Sequence, residues 1–505
     1  MSDIILATIN AKWIHPSLAL RLLKANLGEY EDRAEILEFA LRQPLAEKIR
    51  PILAAAPRIL AFSVAIWNHR ATVELLRNIR EEFIKEELGD GVALHGTRGR
   101  GAIRPVIVLG GPEVAYLPAE SEIMRYADWV VRGEGEAVFR ELCGLLLGKS
   151  QGEGVERRYR DLKDGDLTGV IQALPSVQKV CGKFIDPQRV DITSIDPGYR
   201  LYTSEDLSRK LTYIEASRGC PFGCEFCLSS REIGAQRTGD QVVREFPLGS
   251  FLGEMEKLIG RGARSFKFLD RTFNLDMKRA RRIMEFFLDH LKPGLYVHFE
   301  MVPSRFPPEL RELLRRFPAG SLRLEVGIQT FNPRTAALIG RPSDPERELE
   351  VIGFLRKETN AIIHADLIAG LPGEDLASFA QGFDRLWRIR PTEIQLGILK
   401  CLPGTPIIRH SETFGMRYAL EPPYEVLETA ALSVRDLDRI KNFARFWELI
   451  VNRGAFADLG PVFFPEREAV FARFMNLSDW LLQRFGRNWG IDRKELRAAL
   501  VQYGG

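Results

Sequence analysis

The chain has 505 residues, which is too long for one ordinary core and predicts about two to four domains. Hydrophobic residues make up 45% and charged residues 28%, a composition typical of globular proteins. The formal net charge is only +3, which gives no general argument for a nucleic-acid or anionic-membrane partner. We therefore expect no nucleic acid, and the lengths of the apolar runs predict no membrane span.

The six cysteines of the sequence, half of them in one motif, indicate a reducing compartment. The first residues lack the basic start and long apolar run of a signal peptide. We expect a cytoplasmic location.

Residues 1–148 alternate buried-looking strands with helical patterns and predict a doubly wound, Rossmann-like parallel sheet. The predicted strands are residues 4–9, 34–39, 59–65, 106–109 and 129–131. Ser17 is placed to cap the first helix. Ligands bind such sheets at the carboxyl ends of the strands.

Glycines stand at two of these strand ends. Gly110 and Gly111 close one predicted strand, and Gly133 and Gly135 follow the next. Glycine lets a flat ligand or a phosphate approach the backbone, and a side chain at the first pair would intrude on a bulky cofactor. Ordinary turn glycines are the alternative. The G-x-G-x-x-G pattern is missing after the first strand, which counts against NAD.

Residues 149–210 are rich in Gly, Asp, Lys and Arg and predict a linker with short strands. The strand–helix rhythm resumes over residues 211–406 with six predicted strands, which suits a partial (β/α)6 barrel. These strands are residues 211–216, 265–270, 296–300, 322–329, 362–368 and 394–400. Chemistry in such a barrel lies at the carboxyl ends of its strands.

A loop after the first barrel strand carries Cys220, Cys224 and Cys227 in a C-x3-C-x2-C spacing. Glycines and a proline break regular structure here, so the thiols can fold inward. Zinc requires a fourth protein ligand, and no second C-x2-C follows. Three thiolates without a fourth leave one corner of a 4Fe–4S cluster open for a substrate or cofactor. Three buried structural cysteines, or a disulfide pair and one free thiol, are the alternatives.

Polar residues recur on the predicted barrel strands or at their ends: Asp270, Glu300, Glu325, Gln329 and Asp366. A parallel strand is buried on both faces, so a carboxylate there needs a partner or a ligand. The partner is either a bound cofactor or an internal salt bridge to Lys267, Arg305 or Arg323.

Residues 407–505 become helical, with predicted helices at residues 424–451 and 466–485. Aromatic side chains are dense here: Phe443, Phe446, Trp447, Phe463, Phe464, Phe471, Phe474, Trp480, Phe485 and Trp489. The favoured interpretation is a helical domain with an aromatic core, and the alternative is that some of them line a substrate pocket. Of the scattered cysteines, only Cys401 stands at a strand end.

The cysteine motif, with Phe226 as its aromatic residue, resembles the signature of radical S-adenosylmethionine (SAM) enzymes. The resemblance implies that Cys220, Cys224 and Cys227 hold a 4Fe–4S cluster and that SAM chelates its open iron. It further implies that Phe226, Asp270, Glu300, Glu325 and Gln329 contact SAM, with Phe226 near the adenine. Reduction of the cluster would then cleave SAM to a 5′-deoxyadenosyl radical.

The first 148 residues resemble the cobalamin-binding domain found in front of many radical SAM domains. The matching stretches are residues 10–22, 106–113 and 128–136. The resemblance implies a cobalamin site lined by Ser17, Ser63, Gly110, Gly111, Pro112, Gly133, Glu134 and Gly135. The Asp-x-His-x-x-Gly motif that ligates cobalt is missing, which predicts binding without a histidine ligand. His15 and His69 lie at strand ends and either approach the corrin or have no metal role.

These features predict a cobalamin-dependent radical SAM methyltransferase that acts on an unactivated carbon through a 5′-deoxyadenosyl radical and methylcobalamin. A non-methylating cyclisation, rearrangement or oxidation is the alternative, followed by a non-catalytic sensor. A methylthiotransferase is disfavoured, because a second cysteine set is missing upstream. The expected partners are a small-molecule or peptide substrate and an external one-electron reductant, flavodoxin or ferredoxin.

Overall fold

The computed structural model describes residues 2–87, 104–148, 167–229, 243–341, 343–460, 464 and 469–504. The chain divides into two compact units. The first comprises Met1–Ile214 and Glu245–Ser265, and the second comprises Glu215–Arg244 and Phe266–Gly505. Within the described residues, every helix is too short or too polar to span a bilayer.

The first unit is built on a seven-stranded sheet. Its strands are β1 (Ile4–Asn10), β2 (Ala34–Ala40), β3 (Ile59–Ser63), β4 (Val106–Gly110), β5 (Trp129–Val131), β6 (Val177–Cys181) and β7 (Phe184–Pro187). They lie in the order β2-β1-β3-β4-β5-β7-β6, parallel except for β6 at the edge. Strands β6 and β7 come from the predicted linker, so the described part of that stretch contributes to the first sheet.

Strand β1 explains the apolar start of the chain. Residues Ile4 to Ile9 are all buried, because a central parallel strand is covered on both faces. The chain passes from β1 to β2 on one side and then returns to β3 on the other. The carboxyl ends of β1 and β3 are therefore the switch point of the sheet, where doubly wound folds bind their ligands.

The helices of the first unit are α1 (Leu18–Ala25), α2 (Leu45–Ala55), α3 (His69–Glu87), α4 (Glu136–Leu146), α5 (Thr168–Gln172), α6 (Ser204–Arg209) and α7 (Leu248–Gly260). Short 3-10 helices cover Gly28–Arg33, Glu122–Tyr126 and Tyr199–Leu201. Helix α1 begins where expected, because the Ser17 hydroxyl accepts a hydrogen bond from the Leu20 N–H.

The second sheet has six strands: β8 (Thr212–Ile214), β11 (Ser265–Phe268), β12 (Tyr296–Met301), β13 (Leu322–Gln329), β14 (Ile362–Ala369) and β15 (Glu393–Ile398). Their order is β15-β14-β13-β12-β11-β8, and the four strands from β12 to β15 pair in parallel. Two short pairs accompany it: β9 (Ser217–Arg218) with β10 (Arg244–Glu245), and β16 (Arg417–Tyr418) with β17 (Val426–Glu428). The predicted α/β class is confirmed.

The helices of the second unit are α8 (Met277–Asp289), α9 (Pro308–Arg316), α10 (Pro333–Leu338), α11 (Pro345–Glu358), α12 (Leu376–Ile389), α13 (Val434–Trp447), α14 (Val470–Phe485) and α15 (Arg493–Gly504). Pro406–His410 and Ala457–Leu459 are 3-10 helices, and Glu448–Asn452 is a π-helical extension of α13.

The carboxyl-terminal part is helical, as predicted, but its first helix starts later than expected. Residues from Tyr424 belong to the hairpin β16–β17 rather than to a helix, and α13 begins after the capping residue Ser433. Tyr424 has a φ of +57°, which a helix interior excludes. Phe443, Phe446, Trp447, Phe471 and Phe474 are buried, which confirms the aromatic core. Trp489 is exposed, and Phe463 lies outside the described residues.

Candidate active site

The loop of residues 220–227, here called the cysteine loop, brings its three thiols to one place. Gly219 enters it with a φ of +107°, and the Cys227 N–H donates to the Cys224 carbonyl at 3.0 Å. Burial raises the pKa of the Cys220 thiol, with smaller contributions from the thiols of Cys227 and Cys224. These contributions place the three sulfur atoms within electrostatic reach of one another.

The thiol spacing favours a cluster over a single ion. Among the described residues, the only three candidate ligand atoms found within 4.8 Å of one another belong to Glu325, His364 and Asp366. At least one sulfur–sulfur separation in the loop therefore exceeds 4.8 Å. Sulfur atoms about 2.3 Å from one zinc ion would lie about 4 Å apart. Three thiolates from one loop are also a ligand type that iron–sulfur clusters use.

Three residues outside the loop surround it, and sequence reasoning missed them. Arg341 donates from Nη1 to the Cys224 sulfur at 3.6 Å and from Nη2 to the Gly327 carbonyl. The Thr272 hydroxyl lies 4.0 Å from the Cys220 sulfur. Gly340 has a φ of +65°, and a Cβ there would lie 2.7 Å from the Gly223 carbonyl oxygen. The sequence carries no local signal for these contacts, which span 52 to 117 residues.

One face of the second sheet carries the predicted polar residues. On β13 the buried Leu322, Leu324, Val326 and Ile328 alternate with half-buried Arg323, Glu325, Gly327 and Gln329. Glu300 of β12 lies opposite Glu325, which in turn lies opposite His364 of β14. Asp366 lies opposite Gly327. The structure thus brings Glu300, Glu325, Gln329 and Asp366 to one face, called the inner face below.

Glu325 and Glu300 share this face but differ in their partners. Glu325 lies 3.1 Å from His298 Nε2 and 3.6 Å from Lys267 Nζ. Burial opposes ionisation of Glu325, but these neighbours outweigh it and lower its pKa to about 2. The Glu300 carbonyl accepts from the Phe273 N–H, but its carboxyl group has no hydrogen bond or ion pair among the described residues. Burial and then the Glu325 charge raise the pKa of Glu300 to about 7.

Asp270 binds the segment of chain that leads into the cysteine loop. It is 3% exposed and accepts hydrogen bonds from the Ala216 N–H at 2.9 Å and the Ser217 hydroxyl at 2.5 Å. Burial raises its pKa to about 6 even though both bonds favour the carboxylate. Its two oxygen atoms thus hold the chain just before the loop, and a SAM contact stays a prediction.

Gln329 ends β13 in a conformation that non-glycine residues rarely adopt. Its φ is +71°, and a bulge shifts the register between Gly327 and Gln329. A Cβ on Gly327 would lie 2.5 Å from the Gln329 side-chain nitrogen, so the amide folds back over the strand end. Such strain persists where the surrounding structure requires it, often at ligand sites.

The internal salt bridges that the sequence offered as an alternative are partly present. Arg323 pairs with Glu393 at 2.5 Å, and Lys267 pairs with Glu325, whereas Arg305 donates to the Leu275 carbonyl. His364 lies between Asp366 and Glu393, at 3.0 and 2.8 Å.

His364 is part of this ion network rather than a metal ligand. Burial disfavours the imidazolium, but the two carboxylates outweigh burial and raise the pKa of His364 to about 9. A protonated imidazole has no free lone pair for a metal.

Phe226 is half-buried and packs against an apolar cluster that includes Ile339, Leu371, Leu399 and Ile407. Cys401 and Tyr418 pack against the same cluster. The predicted contact of Phe226 with adenine stays a prediction.

The switch point of the first sheet exposes large apolar side chains. Trp13 and Ile14 follow β1, Trp67 follows β3 and Tyr116 follows β4, with exposures of 47%, 39%, 55% and 38%. The fully buried Asn68 fixes two of these loops, donating to the Ile9 carbonyl at 3.0 Å and accepting from the Ala65 N–H at 2.8 Å. Exposed aromatic side chains at the switch point favour a large flat ligand.

The residues predicted to line this site lie at the same edge of the sheet but differ in accessibility. Ser63 ends β3, Gly110 ends β4, and the exposed Pro112 follows. Gly133, Glu134 and Gly135 connect β5 to α4, and the Glu134 carboxylate accepts from the Val190 N–H at 2.9 Å. Ser17 caps α1, and its N–H donates to Glu38.

The predicted role of Gly111 needs correction. Its φ is +99°, and a Cβ would lie 2.5 Å from the Val64 carbonyl oxygen, so the fold itself requires glycine here. At Gly110 the nearest atom to a Cβ, the Val131 carbonyl oxygen, is 3.8 Å away. Gly110 therefore has the open space that was expected at both positions.

His15 and His69 both have protein partners. His15 Nδ1 lies 2.8 Å from the Tyr213 hydroxyl, and His69 Nδ1 lies 2.8 Å from Glu113 Oε1. Each contact uses Nδ1 and leaves Nε2 as the nitrogen that would ligate a metal, so both interpretations of these histidines stay predictions.

Comparison with known proteins places this site in a family. Residues 214–386 match the family model described as "Radical SAM superfamily". The chain is 30% identical over 379 residues to "Uncharacterized methyltransferase PH0819" of Pyrococcus horikoshii, covering 71% of this chain and 70% of that protein. The chain belongs to the radical SAM superfamily. Residues 412–504 match a second family model, "Protein of unknown function (DUF4080)".

Two solved structures share the fold. TsrM from Kitasatospora setae, a radical SAM methyltransferase with cobalamin and a [4Fe-4S] cluster bound, matches with a TM-score of 0.56 and 18% identity over 84% of this chain and 78% of TsrM. The cobalamin-dependent radical enzyme OxsB, with aqua-cobalamin and SAM bound, matches with a TM-score of 0.57 and 14% identity over 99% of this chain and 74% of OxsB.

A third relative matches the chain over a shorter length. The ribosomal protein uS12 methylthiotransferase RimO of Vibrio cholerae is 28% identical over 235 residues, or 42% of this chain and 47% of RimO.

Proposed function

We propose that this protein is a cobalamin-dependent radical SAM enzyme, and that it methylates an unactivated carbon. The observation that carries the proposal is the cysteine loop, which brings Cys220, Cys224 and Cys227 close enough for their thiols to interact. The switch point of the first sheet, with its exposed Trp13 and Trp67, supports a second, large cofactor. TsrM, with cobalamin and a [4Fe-4S] cluster bound, and OxsB, with aqua-cobalamin and SAM bound, share the fold.

In this proposal Cys220, Cys224 and Cys227 ligate the cluster. When bound, the 4Fe–4S cluster would supply the electron that cleaves SAM to a 5′-deoxyadenosyl radical, and cobalamin would carry the methyl group. Arg341 offers a guanidinium beside Cys224, where it can pair with the SAM carboxylate. The Glu300 side chain, which has no hydrogen bond or ion pair within the part of the chain that the structure describes, can accept a hydrogen bond from the SAM ammonium or ribose.

The switch point of the first sheet would hold the corrin. Trp13, Trp67 and Tyr116 offer flat apolar surface, and the backbone at Gly110 offers close approach. The missing Asp-x-His-x-x-Gly motif supports cobalt without a histidine ligand.

The alternative within the enzyme class is a non-methylating cyclisation, rearrangement or oxidation. OxsB, which shares the fold, is described as a cobalamin-dependent radical enzyme and not as a methyltransferase. A methylthiotransferase remains disfavoured despite the match to RimO. Cys143 is buried on α4, Cys181 is exposed on β6, and among the described residues neither joins a three-ligand group. A non-catalytic sensor would not need the SAM-facing polar residues.

The partners follow from the same site. The inner face carries charges of both signs, which favours a polar small molecule or peptide as substrate over an apolar one. An external one-electron reductant, flavodoxin or ferredoxin, would reduce the cluster.

The test is anaerobic incubation of the reconstituted protein with cobalamin, a reductant, cell extract and SAM labelled in its methyl group. We expect 5′-deoxyadenosine and a product that carries the label. Deoxyadenosine with an unlabelled product would favour the non-methylating alternative. No deoxyadenosine under any condition would contradict the proposal.

A further inference from the structure

Glu225, between Cys224 and Cys227, is held by a distant part of the chain. The side chain is buried, with 9% of its surface exposed. Its Oε2 lies 2.9 Å from His410 Nε2, and its Oε1 accepts a hydrogen bond from the Arg409 guanidinium. The two partners lie 184 and 185 residues along the chain, in the 3-10 helix Pro406–His410.

The backbone of Glu225 is fixed as well. Its N–H donates to the Ile339 carbonyl at 2.9 Å, and its carbonyl accepts from the Ile407 N–H at 3.0 Å. Two backbone hydrogen bonds therefore hold Glu225 independently of its side chain. Burying a carboxylate disfavours folding unless it is paired, and Arg409 and His410 supply that pairing here.

The charges around the loop are arranged asymmetrically. Glu225 and His410 are both buried, whereas 65% of the Arg409 side chain is exposed. Solvent therefore screens the cation more than the anion. The Glu225 carboxylate thus belongs to the residue that directly follows Cys224, whose sulfur also accepts a hydrogen bond from the Arg341 guanidinium.

We propose that Glu225, held in place by Arg409 and His410, tunes the reduction potential of the cluster through its negative charge. This inference rests on the proposed function, because it requires a cluster on the three cysteines. The potential of an iron–sulfur cluster depends on nearby charge and hydrogen bonds. The Glu225 carboxylate favours the oxidised cluster, since reduction adds an electron beside a negative charge. Arg409 offsets part of that effect.

The proposal also gives a role to the segment that leads into the carboxyl-terminal domain. Residues 412–504 match a family of unknown function, and the helix Pro406–His410 immediately precedes them. Through Glu225, this segment fixes both the position and the electrostatic environment of the cysteine loop.

The experiment is an anaerobic redox titration of the reconstituted full-length protein, followed by electron paramagnetic resonance, with iron measured on each sample. Glu225→Gln removes the negative charge and should shift the midpoint potential to more positive values. Arg409→Gln removes the positive charge and should shift it to more negative values. His410→Gln keeps a hydrogen-bonding side chain and should retain iron. Arg439→Gln is the control, because Arg439 pairs with Asp479 between α13 and α14, and should leave the potential unchanged.

Shifts of opposite sign in Glu225→Gln and Arg409→Gln, with iron retained, support the proposal. Equal potentials in both variants and the wild type, or shifts of the same sign, would overturn it. If Glu225→Gln loses iron, the Arg409→Gln variant still tests the proposal, because Arg409 is exposed. An unchanged midpoint potential in the Arg409→Gln protein then refutes it. A wild-type protein that assembles no cluster would instead refute the proposed function.

Discussion

The isosteric substitution Glu300→Gln tests whether the inner face holds an unpaired carboxylate for a ligand. Burial, and then the neighbouring Glu325, raises the pKa of Glu300 from a usual value near 4.5 to about 7. The folded protein therefore binds this proton more tightly than the unfolded chain does. Its contribution to stability is complete below a pH of about 4.5 and is lost as the pH rises through about 7.

The magnitude follows from that difference. About 2.5 pH units at about 1.4 kcal/mol each correspond to up to about 3 kcal/mol above pH 7. Glu300→Gln carries no charge and should stabilise the second sheet by up to this amount at pH 8, with little effect at pH 5. Glu325→Gln is the matched control. Burial acts against the Glu325 carboxylate, but His298 and Lys267 lower its pKa to about 2, so its loss should destabilise the sheet at pH 8.

The assay is backbone hydrogen exchange of strands Tyr296–Met301 and Leu322–Gln329, comparing each variant with the wild type at the same pH and without SAM. This local readout suits a chain of two compact units, for which one global unfolding free energy is not defined. Glu300→Gln should gain protection at pH 8 and bind SAM more weakly. Unchanged or reduced protection at pH 8 would refute the reasoning.

Two further predictions concern the first unit. The cob(II)alamin form should show no nitrogen splitting from histidine in electron paramagnetic resonance, and His15→Ala and His69→Ala should leave the spectrum unchanged; a splitting lost in either variant would contradict this. Gly111→Ala should destabilise the first unit, because its Cβ would meet the Val64 carbonyl at 2.5 Å, whereas Gly110→Ala should fold normally. Equal backbone hydrogen exchange of strands Ile59–Ser63 and Val106–Gly110 in the two glycine variants would show that the close approach is not limiting.

The sequence predicts the parts of the fold that rest on local pattern. The buried run Ile4–Asn10 and the alternating strand Leu322–Gln329 appear where their periodicity places them. The helix predicted from residue 424 is wrong at its start, where a hairpin strand precedes α13. Pro422 and Pro423 argue against a helix at this point, since proline removes a backbone donor and restricts the residue before it.

The candidate site also has a part that local sequence predicts and a part that only the fold reveals. The spacing of the cysteines is local and is readable from the sequence. The contacts of Arg341 with Cys224 and of His410 with Glu225 join residues 117 and 185 positions apart, so only the fold brings them together. The same holds for Asp270, whose partners Ala216 and Ser217 use the carboxylate that the sequence offered to SAM.

The most direct test of the account is the metal content of one reconstituted sample, measured together with its Cys224→Ala variant. The account predicts about four iron ions per chain, as in a 4Fe–4S cluster, and one cobalt per chain in the wild type. The variant should lose iron and 5′-deoxyadenosine formation but retain cobalt, because the two sets of residues lie in different units. A wild-type protein that binds no cobalamin, or a Cys224→Ala protein with full iron and full SAM cleavage, would contradict the account.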